Sequence, residues 1–240
     1  MDGSGRLSSP LLSPPRKLSR HSLADGVRES LVQAVLDGQY APGDRVIEAN
    51  VARDLDVSRG PIREAFHELA ELGLLVLTPH RGARVTALTA QDAHEIYSLM
   101  VITERLAFRL VKRRMSESLL AELREALRAM RAAAGRGDIL GVARADLQFT
   151  DTLFQHTAHR RLQRIWQGLK FQSYLLVRDY ASRVYPSLPA VVEHHTKIVH
   201  LLENARWDQL LAYLEENGDR IEVRLLESPD VIHAPGGSPP

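Results

Sequence analysis

Val57 to Leu72, Val-Ser-Arg-Gly-Pro-Ile-Arg-Glu-Ala-Phe-His-Glu-Leu-Ala-Glu-Leu, is the stretch from which the fold follows. Ser58 is placed to cap a helix with its hydroxyl. Pro61 falls in the first turn, where a missing N–H leaves no intrahelical bond unmade. Ile62, Ala65, Phe66 and Leu69 recur at helical spacing and form one apolar stripe. Arg59 and Arg63 lie one turn apart near the helix start, and His67 one turn further on. A short helix buried along one side, with arginines at its N-terminal end, can lay them against base edges in a DNA major groove. The same pattern also describes a surface helix with solvated charges.

The flanking sequence separates the two accounts. Upstream, Ser22–Leu36 reads as a helix with Leu23, Val27, Leu31, Ala34 and Val35 on its inner face. Tyr40-Ala41-Pro42-Gly43-Asp44 has turn chemistry, and Ile47–Leu55 reads as a second short helix. Three short helices in this order make a helix-turn-helix. Downstream, Leu74–Leu77 and Ala83–Ala87 read as two strands around Thr78-Pro79-His80-Arg81-Gly82, a two-stranded wing. Gly82 would let the wing tip approach a phosphate backbone closely, and Arg81 or Arg84 could reach phosphate or minor groove.

Composition constrains function. Formal net charge is +1, and residues 1–87 carry 11 Lys+Arg and 11 Asp+Glu. DNA binding must therefore come from a few placed arginines with limited help from the overall field. With no cysteine, thiolate chemistry and disulfides are excluded. No apolar run approaches the ~20 residues needed to cross a bilayer, and the N-terminus lacks a signal-peptide core. A cytoplasmic location and no membrane partner are expected.

From Thr89 the pattern is helical throughout, with six amphipathic segments expected at Ala90–Arg113, Glu117–Ala134, Ile139–Thr157, Arg161–Ala181, Leu188–Asn204 and Trp207–Leu226. The fold expected is mainly α, a winged helix-turn-helix followed by an all-α six-helix bundle. Its domains are a disordered arm at 1–21, a DNA-binding domain at 22–87, an effector-binding and dimerisation domain at 88–228, and a disordered tail at 229–240.

Within the helical part, information lies where polar residues interrupt an apolar face. Asp146 and Thr150 fall one turn apart at the centre of one such face, His195 in the middle of another, and Asn217 inward on a third. Buried polar groups need partners. These four either form a hydrogen-bonded core network or line a ligand cavity. An enzyme using Asp146 and His195 as an acid/base pair is a further rival. Against it, the chain has no Gly-rich phosphate loop, nucleophile elbow or His-Glu-x-x-His.

Four stretches together carry a family resemblance. Val35–Arg45, Val57–Ala65, Leu69 through Leu74-Leu75, and Arg81-Gly82-Ala83-Arg84-Val85 resemble, in order, the winged helix of GntR-family transcription regulators. The resemblance implies DNA contacts from Arg45, Ser58, Arg59, Gly60, Pro61, Arg63, Arg81 and Gly82. The helical part is similar to the effector domain of the FadR subfamily (FCD), in its shorter VanR-like form. It implies a homodimer on a (pseudo)palindromic double-stranded operator, a repressor rather than an activator, and a small-molecule effector of organic-acid type at Asp146, Thr150, His195 and Asn217. Many members bind a divalent metal through an Asp and three His. Here Asp146 and His195 match two ligands, while Thr150 and Asn217 stand where two histidines would be. A weakly held cation or direct effector binding both follow from that set, as does a degenerate, ligand-free pocket. Met100 stands where the family often has an arginine that pairs with an effector carboxylate, one turn before Glu104; Arg105, Arg109, Arg164 and Arg178 are candidate substitutes.

Overall fold

The computed structural model describes residues 20–78, 82–185 and 187–227. The expected arm up to residue 19, the expected tail from 228, and Arg81 at the wing tip lie outside them. The chain divides into two compact units, meeting in sequence at Thr86 and Ala87.

In the first unit, α1 (Arg20–Leu36) is followed by β1 (Arg45–Val46), α2 (Glu48–Leu55), α3 (Arg59–Glu71), β2 (Leu75–Thr78) and β3 (Gly82–Val85). Val27, Leu31, Val35, Leu55, Ile62, Phe66 and Leu69 are buried, so each helix turns its apolar stripe inward. Asp56 caps α2 in the left-handed region at φ 51°, a conformation that short polar side chains tolerate. This lets the chain turn sharply into α3. Ser58 is the N-cap residue of α3, but its side chain makes no capping hydrogen bond, contrary to expectation. The wing gains a strand that was not expected. β1 pairs antiparallel with β3, Arg45 opposite Arg84, giving the order β1-β3-β2. A two-residue strand is too short to show alternation.

The second unit is α-helical: α4 (Ala90–Val111), a 3₁₀ turn at Lys112–Arg114, α5 (Glu117–Gly135), α6 (Ile139–His156), α7 (Arg160–Val184), α8 (Leu188–Glu203) and α9 (Trp207–Glu227). The six expected segments are thus six helices, with ends shifted by up to three residues. Four starts are capped by side chains, that of α7 by His159 Nδ1, which accepts from the Leu162 N–H at 3.1 Å. Thr89 and Asp92 form a reciprocal capping box on α4, Ser116 accepts from the Leu119 N–H, and Asp138 accepts from the Gly141 N–H. Gly141 also permits close packing of α6 on α5, because a Cβ there would lie 2.8 Å from Ala133 Cβ. Phe154 and Trp166 stack at 4.7 Å between α6 and α7, and the indole N–H donates to Asp151 Oδ1 at 2.7 Å. Among the described residues no helix is long and apolar enough to cross a membrane.

Candidate functional site

Each unit carries one candidate site. In the first, the buried stripe of α3 fixes which side chains are left outside. Ile62, Ala65, Phe66 and Leu69 are buried, which leaves Arg59, Arg63 and His67 exposed along the opposite side at one-turn intervals. Gly60 and Pro61 form the first turn between the two arginines, with Pro61 packed inward. These three exposed side chains border a concave surface whose other margin is Arg45 from β1 and Thr78 and Gly82 from the wing. Gly82 adopts φ 82°, and a Cβ there would approach the Val46 carbonyl at 3.4 Å, so glycine keeps the tip end of the wing both turned and thin. Arg45, Arg59, Arg63 and Gly82 thus share one concave face. Ser58 sits exposed at the start of α3.

Two features of this face escaped the sequence reading. Glu48, at the start of α2, lies on the same surface and pairs with Arg63 Nε at 2.9 Å. Arg84 donates to the Gly43 carbonyl at 2.7 Å and so braces the turn before β1. Both contacts join residues far apart in sequence, where helical or strand periodicity carries no signal.

In the second unit, Asp146, Thr150 and His195 line one cavity of about 70 Å³. The apolar faces of α6 and α8 bury them. His195 Nδ1 donates to the Val191 carbonyl at 2.9 Å, and Nε2 meets Asp146 Oδ1 at 3.0 Å. A carbonyl and a carboxylate only accept, so both ring nitrogens act as donors. Burial pulls the His195 pKa down. The hydrogen bond and charge of Asp146, together with the Val191 carbonyl, outweigh it and leave the pKa raised. Phe149 packs edge-on against the ring at 4.8 Å.

Asn217 does not join them. It lies in a neighbouring groove with Tyr213 and Arg220, and Arg220 donates to its Oδ1 at 3.2 Å. Tyr185 lines both spaces and hydrogen-bonds Asn217, which connects the two only indirectly. The physical reason is helix length: Asn217 sits halfway along α9, opposite Tyr185 rather than α6. His194 also lines both spaces. Its Nδ1 hydrogen-bonds Tyr213 at 2.8 Å, and burial with the neighbouring His195 holds its pKa well down.

Glu104 is the cavity residue that sequence reasoning passed over as a site. It projects from α4 toward Asp146 and His195. Burial, reinforced by the Asp146 charge, raises its pKa from 4.5 to about 8. Its position one turn after Met100, itself in the lining, was the available signal.

The donor set does not fit the metal site that the resemblance implies. That site needs an Asp and three imidazoles, and this cavity offers two imidazoles, His194 tied through Nδ1 to Tyr213 and His195 tied to Val191 and Asp146, with Glu104 and a neutral hydroxyl at Thr150. Among the described residues, no group of three or more His, Cys, Asp or Glu is placed to hold an ion.

Comparison with known proteins agrees with this two-part geometry. Residues 23–85 match the family model described as bacterial regulatory proteins, gntR family, and residues 95–217 match the FCD domain. The gluconate operon transcriptional repressor of Bacillus licheniformis is 27% identical over 91% of each chain. A protein of Paenarthrobacter nicotinovorans named "Probable D-xylose utilization operon transcriptional repressor" is 31% identical over 78% of this chain and 82% of its own. A solved GntR transcriptional regulator structure from Rhodococcus sp. RHA1 covers 87% of this chain and 99% of its own, at 26% identity and a TM-score of 0.73. The matched families and relatives are transcription regulators, and the rival reading as an enzyme falls.

Proposed function

The chain belongs to the GntR family of bacterial regulatory proteins and carries an FCD domain, and from this we propose that it is a repressor whose hold on its operator is set by a small-molecule effector. Regulators of this family bind DNA, and FCD domains bind small-molecule effectors. The observation that carries the proposal is the pair Arg59 and Arg63, exposed one turn apart at the N-terminal end of a helix whose opposite side is buried. Each such arginine, bidentate on a guanine edge, discriminates by about 1–3 kcal/mol. Arg45 and the wing at Gly82, beside its tip, take the phosphates on either side. Ser58, Gly60 and Pro61 bring the α3 N-terminus close to the backbone, where its N–H groups favour an anion.

One recognition helix reads too few base pairs for useful specificity, so the working form is a homodimer on a (pseudo)palindromic operator. An apolar stripe on α4 supports this: Leu99, Ile102 and Leu106 are 50, 66 and 40% exposed at helical spacing. The effector occupies the cavity of Asp146, Thr150 and His195, with Asn217 acting through Tyr185. Repression is what the relatives' names give for the gluconate and D-xylose operon proteins. Gel retardation of the protein's own promoter, with and without candidate metabolites, tests the reading. His195→Ala should blunt metabolite-induced release while leaving ligand-free retention intact. Equal release by His195→Ala and wild type would place the effector elsewhere. Retention that no neighbouring-gene metabolite alters would leave a ligand-free pocket.

A further inference from the structure

The cavity in the helical unit has a charge pattern that selects among effectors, a selectivity that rests on its being the effector site. Two carboxyl groups, Glu104 and Asp146, face into it. Of its two imidazoles, His195 is already engaged by Asp146 at 3.0 Å and by the Val191 carbonyl, and His194 is buried, bonded to Tyr213 and held neutral. Among the described residues no Lys or Arg lines it. Two of the candidate arginines are committed elsewhere. Arg105 pairs with Glu215 at 3.0 Å, and Arg178 pairs with Asp179 at 2.9 Å. Met100 offers an apolar thioether where a cation would be needed.

A carboxylate entering this space would lose its hydration beside the Asp146 carboxylate with no free cation to receive it, an arrangement that burial penalises heavily. A hydroxyl meets the opposite situation. It can donate to a carboxyl oxygen of Glu104 or Asp146 and accept from the hydroxyl of Thr150, Tyr97 or Tyr185. The remaining lining, such as Phe108, Leu176 and Ile198, suits C–H surface. At about 70 Å³ the cavity admits only a small ligand, well short of a full sugar ring with its substituents.

We propose that this cavity takes a neutral vicinal diol, the size of 1,2-propanediol or glycerol, and excludes the corresponding carboxylates. The ligand class thus departs from the organic acid that the family resemblance implies. The missing arginine at Met100 and the missing imidazoles at Thr150 and Asn217 then form one consistent change. A site built around an anion and a metal has become one built around hydroxyl groups.

The test uses the full-length protein, treated with chelator, in thermal-shift and ligand-observed NMR titrations at millimolar concentrations. Two matched pairs serve as probes, 1,2-propanediol with lactate and glycerol with glycerate. The expected result is a saturable rise in Tm of a few degrees with each diol and none with its carboxylate. Thr150→Val, close to isosteric, should raise the diol midpoint at least fivefold. Met100→Arg should gain a response to lactate and glycerate. Carboxylates that shift the wild type at lower concentration than their diols overturn this inference and leave the effector reading standing. Diol shifts unchanged in Thr150→Val mark a general co-solute effect and overturn it too. If neither series shifts Tm, the diol assignment fails, while the effector reading fails only if His195→Ala also leaves metabolite-induced operator release unchanged.

Discussion

Glu104 and His195 hold protons differently in the folded and unfolded chain, and this makes stability report on the cavity. Glu104 has a folded pKa of about 8 against 4.5 in the open chain, and His195 is also raised. In both cases the folded state binds its proton more tightly, so stability falls as pH rises through the gap. For Glu104 that gap runs from about 4.5 to about 8; for His195 it begins near 6.5. His194 has the opposite sign. It is held neutral, so its contribution is lost as pH falls below about 6.5. Between pH 6.5 and 8 only the falling contributions operate. Thermal unfolding of the wild type should therefore show Tm decreasing across that window, and Glu104→Gln should flatten the decrease and raise Tm at pH 8. A variant with the wild-type slope would mean that Glu104 is ionised in the folded protein at neutral pH. Asp146 and His195 were legible in the sequence because a polar residue at the centre of an apolar helix face is conspicuous. Asn217 satisfied the same test, but periodicity gives the inward direction and not the depth along a helix, and the structure puts it in the next groove.

At the scale of elements, the helices were readable because each has a continuous apolar stripe and most have a start signal. Thr89 with Asp92, Ser116 and Asp138 act as caps in the structure. Thr89→Ala should cost about 1 kcal/mol, read as a lower denaturation midpoint with unchanged slope. A change within error would show that the capping box adds nothing to the packing of α4. Where signals failed, the reason is equally local. β1 is two residues long and exists because Arg45 and Val46 lie beside Arg84 and Ala83 of the wing, a tertiary relation. Ser58 has the residue type of a cap and the extended backbone of a cap, yet makes no capping bond, so its hydroxyl is not spent on the helix. The pairing of Glu48 with Arg63 lies in the same class, joining two helices across the recognition face. Glu48 takes only Nε of Arg63, so the pair orients the guanidinium without using its two terminal nitrogens.

For the whole molecule, the near-neutral net charge of +1 means that affinity for DNA depends on a small number of placed contacts, which the proposed dimer would present twice. The exposed stripe Leu99, Ile102 and Leu106 is the surface on which a second copy would pack. Ile102→Glu should convert a sedimenting dimer to a monomer of unchanged helicity and weaken operator binding by more than tenfold, since one half-site is lost. A variant that remains dimeric would move the interface to another face. If the ligand favours one state of the dimer, operator DNA must alter ligand affinity by the same factor, a reciprocity that titrating ligand into free and DNA-bound protein would reveal.

The central claim is that two arginines at the start of α3 read the operator. It is tested most directly by fluorescence anisotropy of labelled promoter DNA against a scrambled duplex of equal length, at fixed salt, for wild type and for Arg59→Ala and Arg63→Ala. The expected result is that the wild type separates the two duplexes widely. Each variant should lose about 1–3 kcal/mol of that separation while its circular dichroism and Tm stay unchanged. A folded Arg59→Ala, Arg63→Ala double variant that still prefers the promoter as strongly as wild type would contradict the account.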